Sequence, residues 1–152
     1  MKQEETSKFF ECLGEIWRDI TAIEFLMRCA IAKKENEIVK LPKPPYTKGK
    51  IYNNYPDSFS HLSFEIITAK FNKRFSHISL PKEVVYLRDA MAHGITVEIN
   101  NSGITELIKF KENGKKLIVE FSLPLEPKRL AQLRQSLKEF RGFLMKELDE
   151  KK

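Results

Sequence analysis

The densest cluster of side chains that could do chemistry lies at residues 87–94, Leu-Arg-Asp-Ala-Met-Ala-His-Gly. Histidine titrates near neutral pH and can exchange protons with a substrate, whereas arginine stays charged and offers forked donors to phosphate oxygens. Together they suit RNA cleavage, in which the 2′-hydroxyl attacks the neighbouring phosphate and needs a base and a fixed cation. Such an attack requires neither a metal nor a protein nucleophile. Arg88 and His93 are therefore candidate catalytic residues.

Helical spacing determines which of these side chains can act together. Asp89 and His93 are four residues apart and so lie on one face, where the carboxylate can orient the imidazole and favour its protonated form. The end of a helix also favours positive charge. Arg88 is turned about 140° away from His93 around the helix, so one isolated helix cannot easily present both to one phosphate. Two such helices packed about a two-fold axis would line one cleft with both pairs, which predicts a homodimer.

Ordinary structural roles explain the same residues. A histidine before a glycine often only caps a helix, and an arginine followed by an aspartate often makes a surface ion pair. From spacing alone, these roles are favoured over catalysis. A purely structural dimeric helical domain, with Arg88 and Asp89 bracing the interface, is one such alternative.

The segment resembles the signature of HEPN domains, in which an arginine and a polar residue precede a histidine that ends a helix. Arg88 and His93 fall on the two defining positions, Asp89 falls on the polar position, and Ala92 and Gly94 also fit. The resemblance implies an antiparallel helical bundle that dimerises and a metal-independent endoribonuclease that leaves a cyclic phosphate. It also implies a toxin or an antiphage, abortive-infection effector, with an antitoxin or a defence-system protein as partner. Some family members bind RNA, a nucleotide or a protein without cutting RNA, and this is the alternative function.

Hydrophobic periodicity predicts the elements that must position this segment. Four helices are expected, at about 5–34, 57–75, 81–93 and 127–149. Between the last two helices, alternating residues predict strands at 95–99, 104–110 and 117–121, with an Asn-Gly turn before the third. The expected fold is therefore mainly α, a HEPN-like bundle of about four helices with a small antiparallel β-meander at 95–121 inserted before the last helix.

Two details of the helix ends follow from local signals. Asp57 or Ser58 is expected to cap the second helix. The expected apolar stripe of that helix is Leu62, Ile66, Ala69 and Phe71. Gly94 is expected to stop the third helix in the left-handed conformation.

Two basic regions could contact RNA. Segment 35–57 contains four prolines and is expected to be a long loop. Its tyrosines could stack on bases, although tyrosines that anchor a loop to its own domain are commoner. On the last helix, a basic strip could also bind RNA, although snorkelling side chains at a packing edge are the favoured alternative. The strip consists of Arg134, Lys138 and Arg141.

Composition limits the class of protein. The 152 residues predict one domain spanning 1–152, and a net charge of +6 favours RNA as a partner, although a solvated lysine-rich surface explains the charge equally well. Three histidines without zinc-binding spacing give little support for a metal, and no cofactor is expected. Without an apolar run long enough for a membrane span, or an apolar N-terminal signal, we expect a cytoplasmic protein that does not enter a membrane. Cys12 and Cys29 are expected to be buried thiols that do not pair with each other.

Overall fold

The computed structural model describes residues 3–98 and 105–150 of the chain. This part is mainly helical, with one small antiparallel sheet that lies between the third and fourth helices in sequence. The elements in order are α1 (Gln3–Lys34), α2 (Phe64–Arg74), α3 (Lys82–His93), β1 (Ile95–Glu98), β2 (Thr105–Asn113), β3 (Lys116–Pro124) and α4 (Pro127–Asp149). The four expected helices and the meander before the last helix are confirmed. The expected turn at 100–103 lies outside the described residues.

The described residues fall into two compact units. Unit 1 takes its residues from Met1–Thr21 and Pro81–Glu139, and it holds α3, the sheet and the candidate catalytic segment. Unit 2 takes its residues from Ala22–Leu80 and Phe140–Lys152, and it holds α2 and the proline-rich loop. Helices α1 and α4 contribute to both units. The expectation of one domain over 1–152 stays a prediction.

The long helices α1 and α4 form because apolar side chains recur every three or four residues and give each helix one continuous apolar face. Burying each large aliphatic side chain contributes roughly 1.5–3 kcal/mol. The buried members of the α1 stripe are Ile16, Ile20, Ile23, Met27 and Ala30. The buried members of the α4 stripe are Leu130, Leu137, Phe140 and Leu144. None of the described helices is long and apolar enough to cross a membrane.

The start of the second helix differs from the expectation. Helix α2 begins at Phe64, and Ser63 caps it, because the Ser63 hydroxyl accepts a hydrogen bond from the backbone nitrogen of Ile66 at 3.3 Å. Asp57 and Ser58 instead lie in a separate 3₁₀ turn, Asp57–Phe59. The expected cap was therefore wrong by five or six residues.

The side chain of Arg28 accounts for this difference within unit 2. Its guanidinium donates hydrogen bonds to the carbonyl oxygens of Ser58, Ser60 and Leu62 at 2.5, 3.2 and 2.9 Å. These carbonyl groups therefore have a partner without forming a helix, which satisfies them at little cost. Arg28 also pairs with Glu24 at 2.8 Å, the i, i+4 arrangement that its spacing favours.

The buried face of α2 also differs from the expected stripe. Of the four expected positions, Phe71 is buried, Leu62 precedes the helix, Ile66 is 45% exposed and Ala69 is exposed. The buried residues are Phe64, Ile67, Thr68 and Phe71. Beginning the helix at Phe64 brings these four onto one face at steps of three, one and three. The misplaced cap and the misplaced stripe are therefore one error.

The sheet has the order β1-β2-β3, and both pairs of neighbours are antiparallel. Leu107 of β2 pairs with Leu123 of β3, and both are buried. The hairpin between these strands closes at Asn113 and Lys116, with Gly114 at a φ of 62° in the turn. A glycine with positive φ at the first central position is typical of tight hairpin turns. The Asn-Gly signal therefore predicted the hairpin, although its central residues are Gly114 and Lys115, one position later than expected.

Candidate functional site

Helix α3 presents the candidate catalytic residues in unit 1. Val84, Leu87 and Ala90 are buried and recur every three residues, which fixes the rotation of the helix about its axis. Asp89 is then half-buried, while the His93 side chain, in the last turn, is 65% exposed. An exposed imidazole at a helix end is accessible to a substrate.

Gly94 ends α3 for a reason other than the one expected. Its φ is −86° and its ψ is −179°, so the backbone is extended rather than left-handed. A Cβ at this position would lie 2.7 Å from the carbonyl oxygen of Ile108 and still closer to that of Ala90. The glycine is therefore required by its close approach to the carbonyl groups of Ala90 in α3 and Ile108 in β2, and the expected left-handed stop was wrong. This approach holds His93 next to the sheet.

Asp89 has a stronger partner than the expected histidine. Its Oδ1 atom lies 3.9 Å from Nε2 of His93, which is too long for a hydrogen bond. Its Oδ2 atom accepts a hydrogen bond from the Lys109 ammonium group, which also donates to Oε2 of Glu120 at 2.6 Å. Lys109 therefore clamps the Asp89 carboxylate beside the imidazole and links α3 to β2 and β3.

The charges of this cluster support one another. Hydrogen bonds to the carboxylates of Asp89 and Glu120 raise the pKa of Lys109 above its ordinary value. The hydrogen bond from Lys109 lowers the pKa of Glu120. Both groups therefore stay charged over a wider pH range than they would alone.

Lys109 was not among the site residues predicted from the sequence. One signal was available, because Lys109 and the core residue Leu107 are two positions apart and so point to the same side of β2. A lysine on the inward side of a half-buried strand needs an acidic partner. Which acid it meets could not be predicted, because Asp89 is twenty residues away in sequence.

Arg88 lies against a different element from His93. Its guanidinium carbon is 5.9 Å from the ring centroid of Trp17 in α1, and its side chain is half-buried. A guanidinium over an indole face is a favourable cation–π arrangement. The structure therefore places Arg88 on the α1 side of the helix and Asp89 on the sheet side, as their helical spacing predicted.

The basic strip on α4 is divided between the two units. In unit 1, Arg134 forms an ion pair with Oε2 of Glu15 at 2.5 Å, while Lys138 is exposed. In unit 2, Arg141 is half-buried. The pairing of Arg134 fits the packing-edge alternative, and RNA binding by the strip stays a prediction.

The proline-rich loop of unit 2 uses two of its tyrosines to hold its own backbone. The Tyr46 hydroxyl donates to the carbonyl oxygen of Pro42 at 3.0 Å, and the Tyr52 hydroxyl donates to that of Lys43 at 2.7 Å. The Lys50 ammonium group lies 5.1 Å from the Tyr52 ring centroid. These contacts lie within the loop, and base stacking by its tyrosines stays a prediction.

Comparison of the chain with protein-family models, with curated proteins and with solved structures found no match. Within residues 3–98 and 105–150, no three His, Cys, Asp or Glu side chains form a group that could hold a metal ion.

Proposed function

We propose that this chain is a HEPN-like, metal-independent endoribonuclease that works as a homodimer. The observation that carries the proposal is the exposed His93 imidazole at the end of α3, beside the clamped pair of Asp89 and Lys109. The spacing from Arg88 to His93 resembles the HEPN motif, and the net charge of +6 favours a polyanionic substrate. A role as a toxin or an antiphage effector, together with an antitoxin or defence partner, belongs to the same proposal.

Each side chain has one task in the proposed reaction. His93 takes the proton of the 2′-hydroxyl as the bond from the 2′-oxygen to phosphorus forms and the bond to the 5′-oxygen breaks. A water molecule gives a proton to the leaving 5′-oxygen, and the protonated His93 then releases its proton to the solvent. Arg88 neutralises the phosphate charge that builds up in the transition state. The products are a 2′,3′-cyclic phosphate and a 5′-hydroxyl end, so atoms and charges balance without a metal.

Asp89 and Lys109 are positioning residues in this scheme. Lys109 holds one oxygen of the Asp89 carboxylate, and the other oxygen faces the imidazole at 3.9 Å. At that distance the carboxylate does not hydrogen-bond to the ring, but a small movement of the imidazole is enough to form that bond. The histidine thus keeps the freedom to turn toward a substrate.

The dimer in this proposal follows from the contacts of Arg88. Its guanidinium lies over Trp17, on the α1 side of α3, whereas Asp89 lies on the sheet side. A phosphate held at His93 therefore needs an arginine from elsewhere, and a second copy packed about a two-fold axis supplies one.

An RNA cleavage assay in EDTA tests the proposal. We expect the wild type to cut single-stranded RNA and to leave cyclic phosphate ends detectable by mass spectrometry, whereas His93→Ala and Arg88→Ala lose at least about a hundredfold in rate. His77→Ala is the matched control, because the His77 side chain is 63% exposed and lies in unit 2. The proposal fails if the wild type is inert in EDTA, or if cutting survives both substitutions.

The contact between Arg88 and Trp17 also favours a second candidate function. A guanidinium stacked on an indole is a common packing device, which fits a non-catalytic HEPN-like module that binds RNA, a nucleotide or a protein. This candidate predicts RNA binding without turnover. It also predicts that Trp17→Ala and Arg88→Ala alter stability or the dimer in light scattering, while His93→Ala alters neither.

A further inference from the structure

A groove in unit 1 has no role in the proposed cleavage. It has a volume of about 650 Å³ and lies between the first half of α3, the end of β3 and the start of α4. Small-ligand sites commonly measure roughly 300–1,000 Å³. Resting on the proposed function, we infer that this groove binds the base of a nucleotide close to the cleaved bond in single-stranded RNA.

Two aromatic rings supply the stacking surface. Tyr86 of α3 is 49% exposed, and its ring centroid lies 6.5 Å from that of the half-buried Phe121, with 36° between the ring planes. Phe121 limits the movement of Tyr86 on one side and leaves part of the tyrosine ring open to the groove. Bases of single-stranded RNA stack on such rings, and one such contact changes affinity about tenfold.

Polar groups around the rings favour a base edge over a phosphate. Arg129 forms an ion pair with Oε1 of Glu83, so the charges of these two residues offset each other. Glu126 is exposed and adds a second carboxylate to the lining. A carboxylate accepts hydrogen bonds from the amino groups of cytosine, adenine and guanine, whereas uracil has no amino group. The groove should therefore prefer a base with an amino group to uracil.

The position of the groove connects it to the candidate site. Tyr86 precedes His93 by seven residues, which is about 10 Å along α3 and only about 20° short of two full turns. Both side chains therefore lie on the same side of the helix. A short segment of single-stranded RNA covers this distance, so one strand can place a base at Tyr86 and a phosphate at His93.

Binding to uncleavable oligonucleotides tests the inference without turnover. Fluorescein-labelled hexamers of deoxycytidine and deoxyuridine lack the 2′-hydroxyl, and their bases differ mainly in the amino group. Fluorescence anisotropy should show that the wild type binds the cytosine hexamer at least about fivefold more tightly than the uracil hexamer. Tyr86→Ala should weaken that binding about tenfold. Glu126→Ala should make the two affinities equal.

Tyr55→Ala is the matched control, because Tyr55 is 47% exposed and lies in unit 2. It should keep the preference for cytosine. Equal affinity of the wild type for both hexamers, or a preference that survives Glu126→Ala, overturns the inference. The inference is also overturned if argininamide displaces the hexamer and cytidine does not, because aromatic rings and carboxylates also bind cations. Binding and cleavage are read separately, so RNA cutting without base preference would remove this inference alone.

Discussion

Replacing Gly94 with alanine should destabilise the protein, because the new Cβ has no room between α3 and β2. The Cβ would lie 2.7 Å from the carbonyl oxygen of Ile108, whereas ordinary contacts begin at 3.4 Å, so the two elements must separate by about 0.7 Å. The carbonyl oxygen of Ala90 would lie still closer to the same Cβ, and both neighbours are backbone groups that cannot rotate away. Overpacking of this kind costs about 1–3 kcal/mol.

Urea unfolding followed by circular dichroism measures this effect. With a slope of about 2 kcal/mol per molar urea, the expected loss lowers the midpoint by about 1 M. Gly142→Ala is the matched control, because this glycine lies inside α4 and a Cβ added there would have nothing within 4 Å. It should raise stability by about 0.5–1 kcal/mol. If Gly94→Ala left the midpoint unchanged or raised it, the close approach of α3 to the sheet would be refuted.

Three further outcomes follow from contacts within single units. Lys109→Met should lower the free energy of unfolding by a constant amount from about pH 6 to 9. The difference from the wild type should become smaller as pH falls through the lowered pKa of Glu120, and also as pH rises through the raised pKa of Lys109. A pH-independent difference in urea titrations would contradict this. Burial raises the pKa of Cys29 to about 11, so about one thiol in a thousand is ionised at pH 8. Mass spectrometry should therefore find iodoacetamide on Cys12 first, and equal labelling of both folded thiols would count against the burial of Cys29. Arg28→Met should cost about 2–4 kcal/mol in urea unfolding, because three carbonyl groups lose a charged donor, and a loss below about 0.5 kcal/mol would show that these bonds contribute little.

The sequence predicted the elements whose own residues decide their structure. Helix α4 was predicted at its observed bounds, because its apolar stripe and the proline at its start are local signals. The hairpin at Gly114 was predicted for the same reason. The start of α2 was not, because the hydrogen bonds of Arg28 to the segment before it join residues about thirty positions apart. Local sequence propensities do not indicate hydrogen bonds between residues so far apart in the chain.

One part of the candidate site could be predicted from the sequence, and another part could not. The arrangement of Arg88, Asp89 and His93 around α3 follows from helical spacing, and the structure agrees with it. The contacts with Lys109 and Trp17 could not be predicted, because each depends on which other element packs against α3. Asp89 was expected to orient the histidine, and this role stays a prediction, because Oδ1 lies 3.9 Å from Nε2 of His93 while Oδ2 accepts a hydrogen bond from Lys109.

Subunit complementation tests the central claim most directly. Arg88→Ala keeps the histidine and His93→Ala keeps the arginine, so a mixed dimer retains one complete pair only if the two residues act from different copies. After co-refolding equal amounts, we expect about a quarter of the wild-type RNA cleavage in EDTA, since about half of the dimers are mixed and each holds one of two pairs. Each variant alone should be inert. A mixture as inert as its components, beside an active wild type, would contradict a site shared between two copies.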